Sequence, residues 1–249
     1  MESMKAIICA AGQGRRLRPY TNNISKCLLK IGRKRILEYL LDNISECGIK
    51  EAVIVIGYKA EEFMKIVGTK HKNCKIKYCI NKDYEKNDNM YSLWMAKDEI
   101  EDGFIFFNAD VMFNVGILRK LIDNPYPNCI VVDDNSKLED SAMKVKILDN
   151  KLVEISRNLK DGNARAIGIY KYSPAGAKIY FGEIKKIMSK NFGRITIGAP
   201  SGQIEKAVDR FMKRSKIYAV KTGNFVWQEI DDAEDLKKAS KNLYLILKK

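Results

Sequence analysis

MKAIICAAGQGRRLRPYTNNISKCLLK, residues Met4 to Lys30, sets how the rest of this chain is understood. An apolar run, Ala6-Ile7-Ile8-Cys9-Ala10, breaks into Ala11-Gly12-Gln13-Gly14, and Arg15, Arg16 and Arg18 follow at once. This is the pattern of a buried strand feeding a glycine-rich, cationic loop. Glycines let a backbone approach a ligand and aim successive N–H groups at it, while guanidinium forks match phosphate oxygens. The expected ligand is an anion of the nucleotide phosphate type, and the competing reading is a turn with a solvated basic face. A dinucleotide fingerprint needs glycine where Leu17 stands, and a Walker loop needs a Gly-Lys-Ser/Thr triplet that is missing, so both are disfavoured. Pro19, Asn22 and Asn23 suggest that the chain stays extended as far as Lys26, whose side chain is expected to project back into the same pocket.

Working outward, Ile36, Leu37, Leu40, Leu41 and Ile44 form the stripe of a helix packed on a sheet, stopped by Gly48. Ala52 to Gly57 is a second apolar strand, which makes the unit a right-handed crossover between parallel strands. A short helix near Glu61 to Val67, a strand over Cys74 to Ile80 and a capped helix over Asn87 to Lys97 come next. The Phe104–Phe107 strand then ends in Asn108-Ala109-Asp110. In the second half, short strands are expected at Ile130–Asp133, Met143–Leu148, Leu152–Ile155 and Ala166–Tyr172. Helices at Pro174–Lys190 and Gly202–Lys213, a strand at Ile217–Val220 and a closing helix at Asp232–Leu247 complete the chain. We expect a single domain over 1–249, with a nucleotide-binding half of about 1–125 and an acceptor-binding half of about 126–249 on one α/β sheet.

Composition narrows the class. The 249 residues carry a formal charge of +14, spread singly through the chain without the aromatic-interleaved basic stripe of a nucleic-acid binder, so no nucleic-acid partner is expected. No apolar run approaches the roughly 20 residues of a membrane span and no leader is evident, which implies a soluble, cytoplasmic protein without a membrane partner. Six scattered cysteines with one histidine, His71, support neither a zinc site nor a thiol–imidazole pair.

Two carboxylates join the loop. Asp110 follows the Phe104–Phe107 run, and ligands of open α/β sheets sit at the carboxyl ends of such strands, where a phosphate-bound Mg²⁺ needs oxygen ligands. Near the end of the chain, Asp232 and Asp235 are spaced as a helix N-cap arrangement. Asp231 is left free to supply a second oxygen to the same cation.

With these pieces in place the chain resembles the nucleotidyltransferase (sugar-phosphate pyrophosphorylase) superfamily, and within it the choline-phosphate cytidylyltransferase group. The opening signature is matched by Ala10-Ala11-Gly12-Gln13-Gly14-Arg15-Arg16-Leu17-Arg18-Pro19, then Thr21 and Ser25-Lys26. Arg15 replaces a small hydroxyl residue and Ser25 a proline. Asn87 to Leu93 is similar to the N-x-x-S-L element of choline-phosphate and phosphonate cytidylyltransferases, Asn108-Ala109-Asp110 to the first metal aspartate, and Glu229-Ile230-Asp231 to the E-I-D supplying the second.

The resemblance implies a Rossmann-like, mixed and mostly parallel sheet flanked by helices, the nucleotidyltransferase fold. It implies a Mg²⁺-dependent transfer from a nucleoside triphosphate, CTP favoured, to a small phosphorylated acceptor such as phosphocholine, with pyrophosphate leaving. Arg16, Lys26, Asp110 and Asp231 would be catalytic, with Asp110 and Asp231 holding Mg²⁺. Ala10, Ala11, Gly12, Gln13, Gly14, Arg15, Arg16, Asn81 and Asn89 would contact the nucleotide, and Tyr91, Trp94 and Trp227 would box a quaternary ammonium by cation–π attraction. The alternatives are a sugar-1-phosphate nucleotidyltransferase using UTP, dTTP or GTP and, from another class, a non-catalytic nucleotide- or nucleic-acid-binding protein. A monomer or homodimer is expected.

Overall fold

The computed structural model describes residues 4–100, 102–190 and 203–248, so Gly202, where one helix was expected to start, lies outside the described residues. The first half contains β1 (Lys5–Ala10), β2 (Lys30–Ile31), β3 (Lys34–Arg35), α1 (Ile36–Glu46), β4 (Glu51–Ile56), α2 (Ala60–Val67), β5 (Lys70–His71) and β6 (Cys74–Ile80). It continues through α3 (Asn89–Met95), β7 (Phe104–Asn108), β8 (Val111–Phe113) and α4 (Val115–Asp123). The second half contains β9 (Cys129–Asp133), β10 (Lys144–Leu148), β11 (Lys151–Ser156), β12 (Ala164–Tyr172), α5 (Pro174–Lys190), α6 (Gln203–Met212), β13 (Tyr218–Lys221), β14 (Trp227–Glu229) and α7 (Ala233–Leu247).

Ten strands share one sheet in the order β10-β11-β13-β9-β12-β7-β1-β4-β6-β5, which is the mixed α/β fold expected. Its centre, β7-β1-β4-β6, is parallel. β12 enters antiparallel between β7 and β9 and carries the sheet into the second half. Both faces are covered, as parallel strands require. Alternation along β1 sends Ala6, Ile8 and Ala10 to a core layer shared with Leu37 and Leu40 of α1 and Ile117 and Leu121 of α4. Ile7 and Cys9 go to the opposite layer, with Leu93 of α3, Tyr180 of α5 and Phe211 of α6.

A third cluster does more to position the site. Leu17, Ile31, Ile36, Tyr39, Met112, Ile230, Ala239 and Ile246 pack the glycine loop against α7 and against β8 and β14. These last two strands pair antiparallel as a separate ribbon, with Val111 opposite Glu229. The stretch Pro19–Lys26 departs from the extended course expected. One 3₁₀ turn spans Arg15–Leu17 and another Lys26–Leu28, and a turn between them is closed by the Asn22 N–H donating to the Pro19 carbonyl at 3.1 Å. The reason is burial: Leu17, Cys27 and Leu28 are all in the interior, and only a folded loop brings them there together.

Asp42 on α1 is held by Lys34, Lys72 and His71, the last at 3.0 Å. Burial alone would raise its carboxyl, but those hydrogen bonds outweigh it and bring the pKa down to about 2. A depressed carboxyl contributes stability above its unfolded value near 4, and this is lost as pH falls toward 2. Asp42→Asn is therefore expected to lose about 1 kcal/mol at pH 7, after discounting for solvent screening, and almost nothing at pH 2. Urea unfolding of both proteins at the two pH values checks it, and equal differences at both would show that the charge is irrelevant.

Candidate active site

β1 ends at Ala10 and the chain turns through Gly14, whose φ of 61° is left-handed and whose Cβ would lie 2.9 Å from Lys26 Cβ. Glycine is thus fixed there by both backbone conformation and close approach. The Thr21 hydroxyl donates to the Gly14 carbonyl at 2.8 Å and closes the loop. Ala10 and Ala11 are buried, whereas nothing beyond the adjoining residues lies within 4 Å of where a side chain at Gly12 would begin. That opening leaves room for a ligand against the backbone. Gln13 donates to Glu85 and accepts from Arg15 Nε at 2.8 Å, so Arg15 is turned along the loop.

Lys26 is where the loop meets the sheet edge. Its ammonium lies 2.6 Å from Asp110 Oδ2 and 3.0 Å from Asp231 Oδ1, and Arg16 reaches Asp231 Oδ2 at 2.8 Å. Burial would lower the Lys26 pKa, but Asp110 and Asp231 reverse that and raise it above the usual lysine value. Asp231 is pushed up by burial and pulled down further by Lys26 and Arg16, so it is a firm carboxylate. The ribbon explains the meeting of two aspartates so far apart in sequence. The Ile230 N–H donates to the Asp110 carbonyl at 3.0 Å, which locks the end of β7 beside the end of β14. Asn114 caps α4 through Gly116 N–H and Asp232 caps α7 with Asp235, so neither Asp110 nor Asp231 is needed as a cap.

Glu229 is the third carboxylate at this edge, and sequence reasoning missed it. Oxygens of Asp110, Glu229 and Asp231 all lie within 4.8 Å of one another. Glu229 pairs with Arg165, whose guanidinium sits 4.9 Å from the Trp227 ring centroid, and the Trp227 indole N–H donates to Asp133 Oδ2 at 2.8 Å. The alternation Glu229-Ile230-Asp231, polar on either side of a buried isoleucine where β14 ends, could have revealed Glu229, since residues two apart on an extended chain face the same way. Burial first, then Asp110 and Asp231, raise its carboxyl to about 7. A raised acid resists ionisation when folded, so its cost is absent below about pH 4.5 and grows as pH rises through 7. Glu229→Gln is therefore expected to stabilise the metal-free protein at pH 8 by on the order of 1 kcal/mol and to leave it unchanged at pH 4. Thermal melts at both pH values test this, and destabilisation at pH 8 would show that the Arg165 pair dominates.

These oxygens suit a hard divalent cation such as Mg²⁺, which prefers carboxylates and water. Asp110 Oδ1 is buried without a hydrogen-bond partner, which leaves a lone pair available to it. The cavity in front of the trio has a volume of about 320 Å³, and its walls include Arg16, Asp88, Asn89, Asp110, Glu205 and Asp231.

The structure distributes the remaining expected residues unevenly. Asn89 lines the cavity. Asn81 is buried and donates to Asn87 at 2.8 Å and to Ser92 at 3.1 Å, so its amide organises the loop before α3. Tyr91 is half-buried and is not among the cavity-lining residues. Trp94 packs against Phe181, with centroids 6.4 Å apart, and under Lys97, on a wall formed by α3 and α5 away from the carboxylates. Trp227 reaches the neighbourhood, but Arg165 covers a face of its ring, so the three aromatics do not converge as a box.

A glycine loop whose lysine is clasped by carboxylates at the sheet's edge suits nucleotide phosphates and defines an α/β nucleotide-binding protein. The nucleotidyl transferase family model matches residues 5–125, just under half of the chain, and cytidylyltransferases are among the proteins the chain is similar to. It is 34% identical over 110 residues to the choline-phosphate cytidylyltransferase of Streptococcus pneumoniae, covering 44% of this chain and 46% of that protein. It is 25% identical over 240 residues to the bifunctional IPC transferase and DIPP synthase of Aquifex aeolicus, covering 96% of this chain and 51% of that protein. The chain thus spans about half the length of these curated relatives. The inositol-1-phosphate CTP transferase structure from T. maritima shares the fold, with a TM-score of 0.77 over 99% of this chain and 98% of that one at 21% identity. Among the described residues, no helix is long and apolar enough to cross a membrane.

Proposed function

We propose that this protein is a Mg²⁺-dependent nucleotidyltransferase that joins CTP to a small phosphorylated alcohol, phosphocholine in the first instance, and releases pyrophosphate. The observation that carries the proposal is the convergence of Asp110, Glu229 and Asp231 on Lys26 and Arg16, at the open end of a glycine loop. CTP is favoured because relatives of this chain are named as cytidylyl- or CTP transferases. A cationic acceptor is favoured because Asp88 and Glu205 both line the cavity. Localisation in the cytoplasm, as a monomer or homodimer without nucleic-acid partners, belongs to the same proposal.

In this reading a phosphate oxygen of the acceptor attacks the α-phosphorus of the triphosphate in line. The bond to the oxygen bridging the α- and β-phosphorus breaks, and pyrophosphate leaves with that electron pair. The protein's part is positioning and charge neutralisation. Arg16 is placed to hold the leaving phosphates, and Lys26 to neutralise the phosphate of the acceptor or the α-phosphate. Asp110 and Asp231, with Glu229 beside them, would hold the Mg²⁺, which when bound lowers the charge repulsion between the two phosphates. Gly12 and Gly14 let the backbone approach.

Pyrophosphate release tests the proposal, with four triphosphates set against phosphocholine, inositol phosphate, sugar 1-phosphates and aminoethylphosphonate in the presence of Mg²⁺. Turnover with CTP and phosphocholine is expected. Turnover only with a sugar 1-phosphate and UTP, dTTP or GTP would establish the pyrophosphorylase reading. Silence throughout, together with salt-sensitive binding to nucleic acid, would overturn both.

A further inference from the structure

A second cavity of about 580 Å³ opens at the other end of the sheet. Its walls include Met4, Ile49, Ile105, Ile122 and Tyr126, and Lys171 of β12 is among them. Lys171 stands in register with Ile105 of β7 and Cys129 of β9, near the amino end of β7, whereas Asp110 lies beyond its carboxyl end. Only 3% of Lys171 is exposed.

Among the described residues, this buried ammonium makes no ion-pair contact with a carboxylate; Asp123, at the end of α4, attracts it only from beyond that distance. The ammonium donates a hydrogen bond to the Asn124 carbonyl at 2.7 Å, at the C-terminus of α4, and no other is seen among the described residues. The partial negative charge of a helix end offsets some of the cation's burial, and two of its three N–H groups remain. The neighbouring Cys129 thiol gives no countercharge, since burial pushes its pKa up to about 11. Burial likewise depresses the Lys171 pKa. A buried charge without a contacting counter-ion is costly to hold, and here the cavity gives an anion access. The lining is mainly apolar, and its other cation, Lys50, is exposed. A doubly charged phosphate calls for an arginine fork or several donors, whereas a single carboxylate is matched by a single ammonium.

We propose that this cavity binds a small amphipathic monocarboxylate, its carboxylate paired with Lys171 and its apolar body against Ile105, Ile122 and Tyr126. The site is independent of the nucleotide-binding reading. Isothermal titration of the full chain with 4-phenylbutyrate, and with the neutral 4-phenyl-1-butanol, tests it. Saturable binding of the acid is expected, at least about tenfold tighter than the alcohol, a difference of about 1.4 kcal/mol. Lys171→Met, which keeps an unbranched side chain and removes the charge, is expected to lose that preference while its thermal protection by Mg²⁺ and CTP matches that of the parent chain. Cys47→Phe, which narrows the cavity from its wall, is expected to weaken both compounds and serves if Lys171→Met does not melt cooperatively. Equal binding of acid and alcohol, no saturable binding, or undiminished acid binding by either folded variant would overturn the proposal.

Discussion

Asp110→Asn is expected to lower turnover by on the order of 10²–10³-fold while the protein stays folded. The loss follows from what the side chain does. It presents one oxygen to Lys26 and, in Oδ1, a buried oxygen without a partner, and the amide of asparagine supplies only one neutral oxygen where a carboxylate had two. The fold survives because β8 and β14 are tied through the Asp110 backbone carbonyl, which the substitution retains, and because Lys26 keeps Asp231. Pyrophosphate release at saturating substrate and Mg²⁺ gives the rate, and circular dichroism melts give the stability. Turnover within a factor of about ten of the parent would remove Asp110 from the catalytic centre.

Lys26→Met should have the largest effect on stability. Its ammonium is the only cation that touches both Asp110 and Asp231 among the described residues. Without it the two carboxylates face each other and Glu229 across a partly buried site, with Arg16 left on one and Arg165 on the third. Removing one partner of a buried pair costs about 3–5 kcal/mol, which for a chain of this size lowers Tm by roughly 10 °C in the absence of metal. Millimolar Mg²⁺ is expected to restore part of that loss, because a divalent cation between the same oxygens relieves the same repulsion. An unchanged Tm would show that solvent screens the carboxylates. A lowered Tm that Mg²⁺ does not recover would show that they do not hold the ion.

Much of the fold was legible because burial periodicity is a local property. The apolar run at Ala6–Ala10 and the stripe from Ile36 to Ile44 appear as β1 and α1. The ribbon of β8 and β14 escaped notice. Each strand is three residues long, too short for a period to register, and their pairing joins segments more than 100 residues apart. The folding of the loop before Lys26 was not legible for a related reason, since the polar Asn22 and Asn23 mask the requirement to bury Leu17 and Leu28. Trp94 shows the limit of residue chemistry: an indole is fit for cation–π contact, but which surface it faces depends on the packing of α3 against α5.

By itself, then, the sequence determined the glycine loop, the crossover that follows it, and the kinds of side chain, guanidinium, ammonium and carboxylate, that a phosphate site needs. These follow from short-range rules of burial, backbone freedom and charge. Only the tertiary structure decided that Lys26 sits between Asp110 and Asp231, that Glu229 joins them with Arg165 as its partner, and that Lys171 is buried at the other end of the sheet. Those are distances between residues remote in sequence, fixed by strand order and by the packing of α7 on the ribbon. Electrostatic energy depends on such distances, so the chemistry of the site was readable in kind from the chain and in arrangement only from the fold.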